Sequence, residues 1–188
     1  MSETRTTPGW RRPEPYGHPE AIHSLGSVAA PLLAGFSLTL VAYTLTETQA
    51  FRWPDAALAL IMGAVLALIG CVQCTMCARL FHVTPAELES WWPDADDPAR
   101  ADLNRREQAR LADSHRLWAR RAQVLYNGGI LLLLAGITVA LVPPGPLAPA
   151  RLAALAVGLL GLAVALLWIA SVLAPLGRVA GRFLEPRG

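Results

Sequence analysis

The residues of this chain best suited to chemistry are three cysteines spaced three apart. Cys71, Cys74 and Cys77 form a C-x-x-C-x-x-C run, and His82 follows shortly after it. Thiolates and imidazoles bind soft transition metals and iron–sulfur clusters. Such runs usually wrap around the metal as a loop, whereas this one lies in an apolar stretch that predicts a helix. On a helix the three thiols spread over about 120° and do not converge.

Helix packing is the alternative interpretation of the cysteines. Cys71 continues a series of small residues at four-residue intervals, which lets a second helix approach closely within a membrane. Palmitoylation at the cytoplasmic end of the helix is a third interpretation. We expect packing, and we expect no bound cofactor or metal. The residues predicted to pack helices together are Gly63, Ala67, Gly70, Gln73, Asn127, Gly128 and Gly158.

Other catalytic patterns are missing from the sequence. It contains no serine-histidine-acid set, phosphate-binding loop or metalloprotease motif, so we do not expect an enzyme. The apolar stretches contain no Asp, Glu, Lys or His, the groups on which ion-coupled transport usually depends.

Four apolar stretches must position the residues named above. They cover residues 25–45, 56–80, 124–142 and 152–174. Each has about 20 residues, the length needed to cross a hydrocarbon core of about 30 Å. Soluble helices are rarely apolar all round for so long, so the stretches predict four transmembrane helices.

Short turns rich in proline join the first two stretches and the last two, which predicts two antiparallel hairpins. The expected fold is an all-α membrane protein with a cytoplasmic helical hairpin between spans 2 and 3. Its predicted parts are a cytoplasmic tail (1–24), a transmembrane hairpin (25–81), a cytoplasmic segment (82–121), a second transmembrane hairpin (122–174) and a second cytoplasmic tail (175–188).

The basic residues predict the orientation. All 16 are arginines, and all but Arg52 and Arg151 fall on one side of the four-span topology. Because short basic segments stay in the cytoplasm, both termini and residues 82–121 are predicted to be cytoplasmic. The absence of lysine and the abundance of Ala, Leu, Gly, Pro and Arg indicate a bacterial plasma membrane. The arginines follow the membrane boundary, which favours anionic lipid headgroups over nucleic acid as their partner.

Residues 82–121 are the segment where a function could be displayed. Thr84, Pro85 and Glu87 form a capping box that predicts a short helix, ending before Pro93. A second helix is predicted from Pro98, continuing without a break into the third span. Its narrow apolar face consists of Leu103, Leu111 and Trp118.

The first of these helices is acidic and the second is basic. Two adjacent tryptophans end the acidic helix, either to anchor it in the headgroup layer or to dock a protein partner. The acidic cluster Asp94, Asp96 and Asp97 lacks the glycine and distal glutamate of an EF-hand, so we expect a solvated surface or pairing with arginine. The predicted contact residues are Glu87, Glu89, Trp91, Trp92, Arg106 and Arg110.

Several of these segments together resemble a known group of proteins. They are residues 31–36 (PLLAGF), 71–74 (CVQC), 84–89 (TPAELE), 91–94 (WWPD) and 126–129 (YNGG). The combination resembles small, uncharacterised four-span integral membrane proteins of actinobacteria. The resemblance implies a membrane fold and brings no activity, ligand or catalytic residue.

Three hypotheses for function follow. The first is a non-enzymatic accessory or regulatory subunit that docks a partner through its cytoplasmic segment. The second is a homo-oligomeric channel or pore assembled through the small residues of the second and fourth spans. The third is a metal- or thiol-dependent membrane protein that uses the cysteine run and His82.

Overall fold

The structure, a computed structural model, describes residues 17–91, 98–145 and 149–183, with side chains as far as Ser171. These residues are helical apart from turns and contain no strand. In chain order the α-helices are α1 (His18–Ser24), α2 (Ala30–Thr46), α3 (Pro54–Leu80), α4 (Pro85–Trp91), α5 (Pro98–Ala140) and α6 (Pro149–Phe183).

Four helices in the described residues are long and apolar enough to cross a membrane. They are His18–Thr46, Pro54–Leu80, Pro98–Ala140 and Pro149–Ser171. The first is continuous because a π-helical turn, Leu25–Ala29, joins α1 to α2. The predicted all-helical fold with four apolar helices is confirmed, and the chain has the composition of a multi-pass membrane protein. The hairpin arrangement and the orientation remain predictions.

Proline marks the start of four of the helices. Pro54, Pro85, Pro98 and Pro149 each occupy the first helical position. The first N–H groups of a helix have no partner within it, so proline loses nothing there, and its fixed φ suits the helix. The local sequence therefore sets where these helices begin.

Helices α2 and α3 each bury one narrow seam and expose much of their remaining apolar surface. On α3 the buried residues other than Val65 alternate at spacings of four and three, the pattern that keeps one side of a helix towards its neighbours. Leu66 and Met76, on other sides, are exposed. Exposed leucine and methionine suit a helix surrounded by lipid. The seam consists of Ala57, Ile61, Ala64, Leu68, Cys71, Thr75 and Ala78.

The seam of α2 is built from small and hydroxyl-bearing residues. Ser37 donates to the carbonyl oxygen of Leu33 (2.7 Å), and Thr44 donates to that of Leu40 (2.8 Å). Each hydroxyl thus has a hydrogen-bond partner within its own helix, so it can be buried at little cost in free energy. The buried residues of this seam are Ala30, Ala34, Ser37, Val41 and Thr44.

The chain divides into two compact units. The first contains the residues up to Leu32 together with Ile69–Tyr126. Its apolar cluster joins Ile22 of α1, Ala78 of α3 and Ala119 of α5. Gly26, in the π-helical turn, lies against the side chain of Thr75 so closely that a Cβ would overlap it. Glycine is therefore required at this helix contact.

The second unit contains Leu33–Leu68 and the residues from Asn127 onwards. Its core joins Val41 of α2, Ile61 and Ala64 of α3, and Leu133 of α5. A Cβ on Gly136 would lie 2.7 Å from Cγ1 of Ile61, so α5 and α3 are in close contact there. Small residues allow this approach, as in membrane helix pairs generally.

Before the third apolar stretch, α5 buries a different face from the predicted one. Leu103, predicted on its apolar face, is 59% exposed, whereas Asn104 and Gln108 are buried. Leu111 and Trp118 are half-buried. Residues four apart share one face of a helix, and the buried face that contains Ala119 passes through positions 115, 108 and 104. The predicted apolar face therefore coincides with the buried face only in part, at Leu111 and Trp118, because the buried face includes polar side chains.

Candidate functional site

Helix α4 begins with the predicted capping box. The backbone N–H of Thr84 donates to Oε2 of Glu87 (2.7 Å), and the N–H of Glu87 donates in return to Oγ1 of Thr84 (3.3 Å). The Thr84 hydroxyl donates a further bond to the same carboxylate (2.9 Å). These bonds satisfy N–H groups that the helix itself cannot pair, which explains how a helix of 7 residues is held. The prediction of a capped helix start is confirmed.

The same bonds change the acidity of Glu87. The hydrogen bonds from the backbone and side chain of Thr84 lower the pKa of the Glu87 carboxyl below its ordinary value of 4.5. The carboxylate is the acceptor in these bonds, so the charged form is the one they stabilise. Glu87 is therefore a fixed negative charge at neutral pH, at the start of α4.

Helix α4 displays one exposed aromatic side chain and two exposed carboxylates. Leu88 is buried, whereas Glu87 and Glu89 are exposed. Trp91 is 72% exposed, which leaves most of its indole uncovered. Tryptophan is the residue type most enriched in interface hot spots, and it is also favoured in the headgroup layer of membranes. Trp92 and the acidic cluster Asp94, Asp96 and Asp97 lie outside the described residues.

The part of α5 that precedes the third apolar stretch is an exposed basic surface. Arg110 pairs with Glu107 (2.9 Å), and Arg105 pairs with Asp102 (3.6 Å), both one turn apart within the same helix. Exposed ion pairs of this kind contribute only about 0–1 kcal/mol to stability. The remaining exposed arginines of this surface are Arg106, Arg116, Arg120 and Arg121.

Histidines from separate elements meet within the first unit. The rings of His82 and His115 have centroids 5.2 Å apart. His115 is buried in α5, and its Nδ1–H donates to the carbonyl oxygen of Ala78 (2.9 Å). His18 of α1 lies within electrostatic range of His115. His82 is exposed, so the group reaches the surface.

Among the histidines, the sequence analysis named only His82, beside the cysteine run, and did not predict this cluster. A signal was present: His82 follows the end of the second apolar stretch, and His115 precedes the start of the third. Two apolar helices joined by the segment between them can bring such positions to the same level. Only the structure shows that the two rings are neighbours.

The cysteines lie on α3 with different degrees of burial. Cys71 is buried within the helix seam, while Cys74 and Cys77 are half-buried, and all three are free thiols. The hydroxyl of Thr75, also in the seam, donates to the carbonyl oxygen of Cys71 (2.9 Å). Across the described ranges, no group of three or more His, Cys, Asp or Glu is arranged to hold a metal ion.

The residues predicted to pack helices have varied surroundings. A Cβ on Gly70 would lie 3.2 Å from Leu125, and one on Gly158 would lie 2.9 Å from Oγ1 of Thr138. A Cβ on Gly63 would make an ordinary contact, 3.4 Å from Leu132. Other members of the predicted set are less enclosed: Ala67 and Asn127 are half-buried, and Gln73 is exposed.

Gly128 and Gly129 are adjacent, but only Gly129 lies in a close contact with another helix. A Cβ on Gly128 would meet nothing within 4 Å. One on Gly129 would lie 2.9 Å from Cγ of Leu68. The close contact therefore falls one residue after the position that the sequence predicted.

Comparison with known proteins identifies no relative. No protein-family model matches the chain, and neither a curated protein nor a solved structure matches it. The chemistry and exposure of the side chains described above are therefore the basis for inferring a function.

Proposed function

We propose that this protein is a non-enzymatic accessory or regulatory subunit of a bacterial plasma membrane. It docks a protein partner through the cytoplasmic segment of residues 82–121. The observation that carries the proposal is the exposed indole of Trp91 on a helix held in place by its own capping box. A fixed, exposed aromatic side chain loses little conformational entropy when a partner covers it.

The surroundings of Trp91 define the chemistry of the partner. Glu87 and Glu89 are exposed on the same short helix, and Glu87 lies one turn before Trp91, so the helix that carries the indole is acidic. The complementary surface has an apolar pocket that accepts tryptophan, bordered by arginine or lysine. Charge complementarity of this kind sets the association rate and selects the partner more than it sets the affinity.

Orientation supports a cytoplasmic location for this segment. Arg106, Arg110, Arg116 and Arg120 are exposed on the part of α5 that leads into the third apolar stretch. Basic residues next to a membrane span are retained on the cytoplasmic side, where anionic lipid headgroups attract them. In the proposed topology both termini are cytoplasmic, and the turns that follow α2 and α5 are external.

The polar groups of the apolar helices favour a docking subunit over a pore. The hydroxyls of Ser37, Thr44, Thr75 and Thr138 all donate to carbonyl oxygens of their own helices. A hydroxyl used in this way is poorly placed to replace the water around a permeating ion.

Copurification with Trp91→Ala tests the proposal. The tagged chain is cross-linked in the cells that encode it, and the proteins that copurify are identified. We expect one or a few partners with the wild type and at least a tenfold loss of them with the variant. Raising the salt concentration should slow their association, because the charges around Trp91 are exposed.

Trp168→Ala is the matched control. Trp168 is 69% exposed, close to the value for Trp91, but it lies on α6 within the fourth apolar stretch. This substitution should leave the copurifying proteins unchanged. An unchanged partner set with Trp91→Ala, or an equal loss with both variants, would contradict docking through α4.

A further inference from the structure

His115 is held in one tautomer by its surroundings. The carbonyl oxygen of Ala78 can only accept a hydrogen bond, so the Nδ1 that faces it at 2.9 Å carries the proton. In the neutral ring the other nitrogen, Nε2, then has a free lone pair. Metal-binding histidines are oriented in the same way, with the nitrogen that does not bind metal donating to a backbone carbonyl or a carboxylate.

The free nitrogen of His115 is buried without a partner. The side chain is only 8% exposed, and among the described residues Nε2 is the one buried side-chain nitrogen or oxygen that lacks a hydrogen bond. Buried polar atoms are nearly always paired, so an orphan nitrogen indicates a ligand that completes the site.

A second imidazole lies at the distance that a shared metal ion requires. The ring centroids of His82 and His115 are 5.2 Å apart, and the rings are inclined at 63°. Two imidazoles bound to one tetrahedral Zn²⁺, with Zn–N bonds of about 2.0–2.1 Å, have centroids about 5 Å apart. The ring planes are free to turn about the metal–nitrogen bonds, so the inclination is compatible with shared binding.

We propose that His82 and His115 bind a divalent transition-metal ion of the class that prefers imidazole, such as Zn²⁺ or Cu²⁺. Water completes the coordination, because the described residues contain no set of three ligands. His82 is exposed and gives the ion a path from solvent. Two protein ligands with exchangeable water make a labile site that responds to metal availability. The proposal does not depend on the docking of a protein partner.

Titration of the full-length, metal-free protein in detergent micelles with Zn²⁺ tests this site. We expect one ion per chain, with Cu²⁺ binding more tightly than Zn²⁺ and Mg²⁺ not binding. His82→Gln and His115→Gln should each weaken Zn²⁺ binding at least tenfold. Zn²⁺ should also shift the NMR signals of both imidazole rings in the wild type.

The controls separate this site from other ligands and from misfolding. His23→Gln changes one of the two histidines outside the proposed site, and substitution of Cys71, Cys74 and Cys77 by alanine removes every thiol; both should leave Zn²⁺ affinity unchanged. His82 is exposed, so the thermal stability of metal-free His82→Gln should match the wild type. No Zn²⁺ binding, binding that survives both His82→Gln and His115→Gln, or binding lost with the thiols would overturn the proposal.

Discussion

Thr84 and Glu87 show how two side chains define the start of a short helix. Their reciprocal hydrogen bonds involve atoms only three residues apart, so the sequence alone carries the information. Trp91 depends on this arrangement, because a helix of 7 residues has little stability of its own. Loss of the cap would release the indole from its fixed position.

The capping box should respond to acid. The pKa of Glu87 is lowered in the folded protein, so its contribution to stability is present above 4.5 and is lost as pH falls through the lower, folded value. NMR titration of the Thr84 amide should give a midpoint below 4.5. Thr84→Ala removes the hydroxyl, one of the two Thr84 donors that stabilise the charged carboxylate. The substitution should therefore raise the pH at the midpoint of the Glu87 titration. A wild-type midpoint at or above 4.5 would contradict this account.

The long helices are held together by the small residues along their seams. In α5, Gly136 lies against Ile61, so the space for a side chain is set by the backbone and side chain of another helix. No hydrophobic effect draws apolar helices together in lipid, which makes close van der Waals contact the main stabilising interaction. A single added methyl group is therefore enough to test a seam.

Gly136→Ala and Gly128→Ala should have opposite effects. The new Cβ at Gly136 would lie 2.7 Å from Cγ1 and 3.3 Å from the backbone nitrogen of Ile61, an overlap expected to cost about 1–3 kcal/mol. At Gly128 it would meet nothing within 4 Å, leaving only the gain of up to about 1 kcal/mol in helix propensity. Thermal unfolding in micelles, followed by circular dichroism, should give a lower midpoint for Gly136→Ala alone. Equal midpoints would refute the packing at this seam.

Sequence patterns predicted the helices well and their contact faces poorly. Length, hydropathy, proline and the Thr84 cap act locally, so they indicated four apolar helices and the start of α4. Which side of α5 is buried depends on neighbours distant in sequence. For that reason Leu103, on the predicted apolar face, is exposed. The pairing of His82 with His115 likewise requires two helices to be placed side by side.

The arginine distribution predicts how the whole chain crosses the membrane. Labelling with a membrane-impermeant maleimide tests it in a background where Cys71, Cys74 and Cys77 are replaced by alanine. Gly145 and Glu89 are both exposed, and they fall on opposite sides of the proposed topology. Intact cells should label Gly145→Cys and not Glu89→Cys, and permeabilised cells should label both. Labelling of Glu89→Cys in intact cells would reverse the orientation.

Helix α6 is expected to tolerate different substitutions from the other described helices. None of the residues in its most apolar window is buried within the protein, so most of its surface is open to lipid, apart from the close approach of Gly158 to Thr138 of α5. Mutational tolerance there follows the free energy of membrane insertion: one apolar residue can replace another, whereas a charge at the centre costs about 2.5–3.5 kcal/mol. The seam of α3 is selected instead for side-chain volume. Away from Gly158, one apolar residue type of α6 can therefore replace another without disturbing the contacts of the other helices.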